Sequence, residues 1–140
     1  MAKKQKETKT NVMRMLDAAK VAYTPYAYDA SDGAIDGVAV ARKLGQDPAS
    51  VFKTLVTQGA SKNYFVFVIP VEKELDLKKA ARAVGEKSVA MLHVADLLKV
   101  TGYVRGGCTP LGMKKPFVTV LDESCLAQPL MAVSAGHIGF

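Results

Sequence analysis

Apolar residues along this 140-residue chain recur with the helical period in several segments that begin at a capping residue. Asp36 and Asp76 each stand directly before such a segment, where a carboxylate can accept the first free backbone N–H groups. Glycines follow three of the segments, as is usual after a helix C-terminus. The pattern predicts three or four helices, at residues 11–20, 37–44, 77–84 and 95–101.

Shorter segments rich in Val, Ile, Phe, Tyr and Thr show the strand pattern and are separated by polar turns. Those at residues 51–57 and 64–71 are joined by a connection of hairpin length, so we expect them to pair as neighbours. Since helices and strands are interspersed, the order predicts one α+β domain with a mixed, largely antiparallel sheet or partial barrel flanked by helices. Further strands are predicted at residues 23–28, 87–91, 116–121 and 130–134.

Composition narrows the class of protein without identifying it. Hydrophobic residues make up 49% and charged residues 23%, as in an ordinary globular domain. The net charge of +6 is compatible with a polyanionic partner such as RNA, and equally with a basic protein that binds no nucleic acid. Residues 1–9 form a polar tail. Because no apolar signal stretch or membrane span is visible, we expect a cytoplasmic protein with no membrane contact.

The two cysteines, Cys108 and Cys125, lack the spacing of a zinc site, so the sequence predicts no metal and no cofactor. As a nucleophile Cys108 would need a base, and the two histidines, His93 and His137, lie in unrelated segments. An inert cysteine is the simpler interpretation.

Lys53 interrupts an apolar strand pattern, and its charge must be solvated, paired or used. Strand alternation puts Lys53 on one face with Leu55, and Thr54 on the other face. One interpretation is a lysine that reaches the surface from a strand end. The other is a cation that lines a cleft and holds a phosphate or a carbonyl oxygen that gains negative charge.

A glycine-rich loop follows the predicted fourth helix, with the sequence Gly-Tyr-Val-Arg-Gly-Gly-Cys-Thr-Pro-Leu-Gly at residues 102–112. It is either a tight connection between two elements or an anion site, because adjacent glycines allow close approach to backbone N–H groups. Gly106 and Gly107 are therefore candidate oxyanion donors.

Three segments taken together resemble the YbaK/EbsC family of aminoacyl-tRNA deacylases, relatives of the editing domain inserted in bacterial prolyl-tRNA synthetase. They are Phe-Lys-Thr-Leu-Val at residues 52–56, Leu-Asp-Leu-Lys-Lys at residues 75–79, and the loop at residues 102–112. The resemblance runs from about residue 10 to the end, and its nearest branch removes cysteine from mischarged tRNA(Pro) and also accepts cysteinyl-tRNA(Cys).

The resemblance implies the family's editing fold, no metal, and release of the amino acid from the 3′ end of tRNA. It assigns catalytic roles to Lys53 and Gly106. It also implies an acidic residue shortly after the last strand, beyond Phe140, so we expect the natural protein to be longer. The residues it implies for substrate binding are Tyr28, Thr54, Gly107, Thr109, Pro110 and Ser134.

In the cysteine-specific branch the substrate's own thiol is thought to attack its ester carbonyl, so the protein need supply no nucleophile. The expected partners are the acceptor end of aminoacyl-tRNA and prolyl-tRNA synthetase, with no DNA. Two alternatives stay open: a deacylase of another mischarged tRNA such as alanyl-tRNA(Pro), and a non-catalytic tRNA-binding module.

Overall fold

A computed structural model describes residues 9–140 and contains four α-helices. The side chains of Thr10, Asp36 and Asp76 cap the first three by accepting backbone N–H groups, as the sequence predicts for the two aspartates. The predicted polar tail lies outside the described residues except for Lys9. The helices are α1 (Asn11–Ala18), α2 (Gly37–Lys43), α3 (Leu77–Val84) and α4 (Val94–Thr101).

Four strands form one open sheet in the order β3-β1-β2-β4. The β1–β2 and β1–β3 pairs are antiparallel, whereas β2 and β4 run parallel. The predicted hairpin and the predicted mixed, largely antiparallel α+β fold are therefore confirmed. The strands are β1 (Phe52–Gly59), β2 (Tyr64–Pro70), β3 (Val89–Met91) and β4 (Val118–Leu121).

The main core lies between α3 and one face of the sheet. Phe65 and Phe67 of β2 pack there with Ala80 and Ala81 of α3 and with Val89. In the β1–β2 register Phe67 stands opposite Leu55, and Ile69 stands opposite Lys53. Because directly paired residues share a face, Lys53 lies on the face that α3 covers, two residues nearer the start of β1 than Leu55.

The prediction of a strand at residues 23–28 is wrong. This segment has no regular secondary structure and is largely exposed. Pro25 has no N–H for a ladder, and Tyr28 makes one backbone hydrogen bond, from its N–H to the Gly139 carbonyl at 3.0 Å. One such bond does not make a ladder.

The predicted strand at residues 130–134 is reduced to a single parallel bridge between Val51 and Ala132. The Phe52 N–H donates to the Ala132 carbonyl, and the Ala132 N–H donates to Ser50, both at 2.8 Å. Beyond the bridge the Ser134 hydroxyl accepts the Gly136 N–H at 3.2 Å. This local bond forms a turn just beyond the bridge, where the backbone no longer pairs with β1.

Removing the ring of Phe67 tests the main core. Phe67 is 3% exposed, so Phe67→Ala should lower the free energy of unfolding by about 3–5 kcal/mol through lost burial and the cavity left behind. Leu126, which is 87% exposed, provides the control, and Leu126→Ala should change stability by about 0.5 kcal/mol or less. Urea unfolding measures both. Equal losses would show that the core is elsewhere.

Candidate active site

The glycine loop, residues 102–112, is held at its base by Thr101, which is buried at the end of α4. The Thr101 hydroxyl donates to the Leu97 carbonyl at 2.8 Å and accepts the Tyr103 N–H at 3.0 Å. The Tyr103 hydroxyl then crosses the loop and donates to the Leu111 carbonyl. The loop is therefore fixed at both ends by hydrogen bonds, although it lacks regular secondary structure.

The middle of the loop packs against the C-terminal segment, residues 134–140. A Cβ atom built on Gly107 would lie 3.2–3.4 Å from backbone atoms of His137 and Ile138. At Gly106 φ is +88°, and a Cβ there would lie 2.8 Å from the Cδ1 of Ile35. Backbone conformation thus favours glycine at Gly106, and a side chain at either position would require its neighbours to move.

The two candidate oxyanion donors differ in availability. The Gly107 N–H donates to the Val104 carbonyl at 2.9 Å and closes a turn inside the loop. Within residues 9–140 the Gly106 N–H has no recorded acceptor. Gly106 is therefore the glycine whose backbone donor is open to a ligand, whereas Gly107 shapes the loop.

Lys53 is half-buried near the start of β1. Its ammonium has no hydrogen-bond or carboxylate partner among the described residues. The Val51–Ala132 bridge joins the C-terminal segment to the chain two residues before Lys53. Ser134 lies two residues beyond Ala132, where the ladder has already ended, so the bridge does not fix its position relative to Lys53.

Two threonine hydroxyls are buried without a partner among the described residues. Thr109, in the loop, is 0% exposed, and its Oγ1 makes no hydrogen bond. The Oγ1 of Thr54 is buried in the same way. Since Thr54 points to the opposite face of β1 from Lys53, the structure does not bring these two side chains together on one face. Buried hydroxyls are normally satisfied, and of these two the one that lies in the glycine loop, Thr109, is the candidate ligand contact there.

Tyr28 reaches the same region through its backbone bond to Gly139, and its side chain is half-buried. Pro110 is half-buried in the loop next to Thr109. The predicted residues other than Thr54 thus lie on three connected parts of the molecule: the start of β1, the glycine loop, and the C-terminal segment with Tyr28 attached to it.

Sequence reasoning missed the residues that shape the glycine loop from outside. Ile35 lies just before α2, and His137 and Ile138 lie in the C-terminal segment, yet all three contact the loop. The glycine pair was the available signal, since adjacent glycines indicate that another part of the backbone comes close. Nothing in the sequence says which part does so.

Cys108 is half-buried in the loop, and burial raises the pKa of its thiol to about 11, against a smaller lowering by a hydrogen bond with Thr101. A thiol with this pKa is almost entirely protonated at neutral pH and is a poor nucleophile. The structure therefore agrees with an inert role for Cys108.

Other candidate sites are few in the described part of the chain. Residues 9–140 contain no group of three His, Cys, Asp or Glu side chains placed to hold a metal ion. A surface cavity lies at the far end of β1, near Gln58, Ala90 and His93, and includes none of the predicted site residues. Among the described helices, none is both long enough and apolar enough to span a membrane.

The sequence pattern of the aminoacyl-tRNA editing domain family matches residues 34–140, which include the whole sheet and the glycine loop. The chain belongs to this family.

Two curated proteins are similar in sequence. The first is named "Putative Cys-tRNA(Pro)/Cys-tRNA(Cys) deacylase EbsC", from Enterococcus faecalis, and is 48% identical over 99% of this chain and 85% of its own length. The second, a proline–tRNA ligase of Fervidobacterium nodosum, is 32% identical over 66% of this chain, which corresponds to 15% of the ligase.

Solved structures show the same fold. A hypothetical protein, APE2540, superposes with a TM-score of 0.81 at 20% identity, covering 91% of this chain and 83% of its own. A structure described as "a putative trans-editing enzyme for prolyl tRNA synthetase" has a TM-score of 0.70 at 26% identity, covering 81% of this chain and 70% of its own.

The raised pKa of Cys108 predicts slow alkylation. In a Cys125→Ser variant, which leaves Cys108 as the single thiol, roughly one molecule in a thousand carries the thiolate at pH 8. The rate of reaction with iodoacetamide should therefore rise about tenfold per pH unit up to about pH 11. A plateau near pH 8.5, as for a free cysteine, would show that the loop does not bury this thiol.

Substituting Gly106 tests the contact between the loop and Ile35. Gly106→Ala places a side chain at positive φ and against the Ile35 Cδ1, whereas Gly33→Ala has a similar φ of +76° and nothing within 4 Å. Both variants bear the strain of the left-handed conformation, about 1–2 kcal/mol. Gly106→Ala should therefore lower the melting temperature more than Gly33→Ala does.

Ile35→Val removes the Cδ1 methyl and should restore part of the stability of Gly106→Ala in a double-mutant cycle. Strict additivity of the two substitutions would mean that Gly106 and Ile35 do not meet.

Proposed function

We propose that this protein is a trans-editing aminoacyl-tRNA deacylase that removes cysteine from cysteinyl-tRNA(Pro) and also accepts cysteinyl-tRNA(Cys). The observation that carries the proposal is the loop at Gly106, which offers a backbone donor with no recorded acceptor and has no activated nucleophile beside it. Family membership and the name of the 48% identical relative support the substrate class.

The chemistry then comes from the substrate. The cysteine thiol gives its proton to water, and its sulfur attacks the ester carbonyl carbon, which makes a tetrahedral centre with a negative oxygen. The carbonyl then re-forms as the carbon–oxygen ester bond breaks, and the electron pair of that bond passes to the ribose oxygen, which takes a proton from water. The products are a tRNA with a free terminal hydroxyl and a cyclic thioester. The Gly106 N–H is the group available to stabilise the negative oxygen.

Lys53 supplies the positive charge of this site. A half-buried ammonium with no carboxylate partner among the described residues is not neutralised by a neighbouring charge and is available to an anionic ligand. It is suited to orient the terminal phosphate or ribose, or to assist the departing ribose oxygen. Tyr28, Thr109, Pro110 and Ser134 are the proposed pocket residues around it, while Gly107 shapes the loop and Thr54 lies on the opposite face.

This mechanism selects by chemistry. Alanine, serine and proline esters carry no thiol and cannot react by this route, whereas a pocket that sorts by size gains only about 1–3 kcal/mol per methylene. The similarity to a segment of a proline–tRNA ligase supports prolyl-tRNA synthetase as the partner that supplies tRNA(Pro), with both proteins in the cytoplasm.

The test is release of labelled amino acid from cysteinyl-tRNA(Pro), with alanyl and seryl esters as substrate controls. Wild-type protein should release cysteine alone. Lys53→Ala should slow release by a factor on the order of 10²–10³, as expected for loss of one preorganised electrostatic group. Lys87→Ala, which removes an exposed lysine, should leave the rate unchanged.

The other outcomes decide between the alternatives. Release of alanine would make the protein an alanyl-tRNA(Pro) deacylase of the same family. Binding of tRNA with no release of any amino acid would make it a non-catalytic binding module. Full activity in Lys53→Ala would remove Lys53 from the mechanism.

A further inference from the structure

Residues 97–121, which contain the glycine loop, carry four basic side chains and no acidic one. The nearest carboxylates in the sequence are Asp96 and Asp122, at the two ends of the segment. We call the four basic residues the basic rim. They are Lys99, Arg105, Lys114 and Lys115.

The basic rim is exposed and unpaired. All four of its residues are exposed. Within residues 9–140 the ion pairs are Lys9–Asp17 and Lys43–Asp32, and neither involves the rim. Four cations with no carboxylate of the described residues within 4.0 Å are available to attract a polyanion.

The rim is attached to the same frame that holds the Gly106 amide. The Lys114 N–H donates to the Thr101 carbonyl at 3.1 Å, and its ammonium donates to the Lys99 carbonyl at 3.3 Å. The Lys114 stem also lies over Gly102, at the start of the loop. Arg105 directly precedes Gly106. The basic rim therefore borders the loop, and Lys114 is held there by these contacts.

A second group of basic residues, on α3, lies around a carboxylate. Its exposed Lys78, Lys79 and Arg82 surround the Asp76 cap. The pKa of Asp76 is lowered, first by the backbone N–H of Lys79 and further by the charges of Lys79 and Arg82. The positive charge on α3 is thus similar in size to that of the basic rim, but the α3 group includes the carboxylate of Asp76.

We propose that the basic rim binds the phosphates of the duplex stem adjoining the aminoacylated end of the tRNA, and so delivers that end to Gly106. This inference rests on the proposed function. Lysine and arginine contacts to phosphates supply sequence-independent affinity, and an RNA duplex presents phosphates at close, regular intervals. Such a contact extends recognition beyond the terminal nucleotides without reading an anticodon.

The test compares two variants that each lose two positive charges. Lys99→Gln/Lys115→Gln alters rim side chains that make no recorded hydrogen bond within residues 9–140. Lys78→Gln/Arg82→Gln alters α3 and is the matched control, since glutamine keeps the helix propensity.

For full-length cysteinyl-tRNA(Pro), the rim variant should raise KM roughly tenfold at 0.1 M salt and leave kcat unchanged. The slope of log(kcat/KM) against log of the salt concentration should become less steep by about 0.7–0.9 per lost contact. The α3 variant should change neither quantity, and both variants should cleave a cysteinyl trinucleotide, which has no stem, at the wild-type rate.

Equal increases in KM for the two variants would show that net charge alone acts and would overturn the proposal, as would an unchanged KM for the rim variant. Binding of uncharged tRNA provides a separate readout. If wild-type protein cleaves neither substrate, the proposed deacylase function fails. Binding of tRNA by the basic rim would still be supported if the rim variant, and not the α3 variant, bound tRNA more weakly and with less salt dependence. Unchanged tRNA binding by the rim variant would overturn it.

Discussion

The site depends on the close approach of the glycine loop to the C-terminal segment. At Gly107 the space left for a side chain is bounded by backbone atoms of His137 and Ile138, which cannot rotate away as a side chain can. This contact, with the hydrogen bonds of Thr101 and Tyr103 at the base of the loop, holds the loop around Gly106 in place. A donor held in place before the reaction need not be reoriented during it.

The candidate site, within the described residues, contains no activated nucleophile. This suits the proposed reaction, in which the thiol of the substrate is the nucleophile. Cys108 is close to the right place but is kept protonated by burial. In the proposed mechanism the protein contributes a positive charge at Lys53, a backbone donor at Gly106 and the basic rim. All three act on position and electrostatics, which are the contributions that a reaction with an internal nucleophile still requires.

Local rules predicted the elements with strong local signals. Asp76 and Gly85 bound α3 as expected, because capping needs only neighbouring residues. The hairpin of β1 and β2 followed from two apolar segments with a short polar connection. The strand predictions at residues 23–28 and 130–134 failed because a strand exists only where a neighbour offers a ladder. Pro25 weakens the first ladder, and the Ser134 turn ends the second.

The candidate site was only partly predictable, because contacts between segments that are distant in sequence leave no local signal. Lys53 and the glycine pair were visible as local anomalies, a charge in an apolar strand and two adjacent residues without side chains. The role of Ile35 and Ile138 as neighbours of the loop depends on tertiary packing. Strand alternation did predict that Lys53 and Thr54 point to opposite faces of β1. The family resemblance had assigned both residues to the site, but they do not share a face of the sheet.

The bridge between Val51 and Ala132 and the bond between Tyr28 and Gly139 join parts of the chain that are distant in sequence. Contacts of this kind close long loops and therefore form slowly, while the β1–β2 hairpin closes a short one. The parallel pairing of β2 with β4 also joins distant segments, so the β1–β2 hairpin is the part of the sheet that local contacts can form first. The arrangement of the glycine loop and the C-terminal segment depends on contacts that only the rest of the fold supplies.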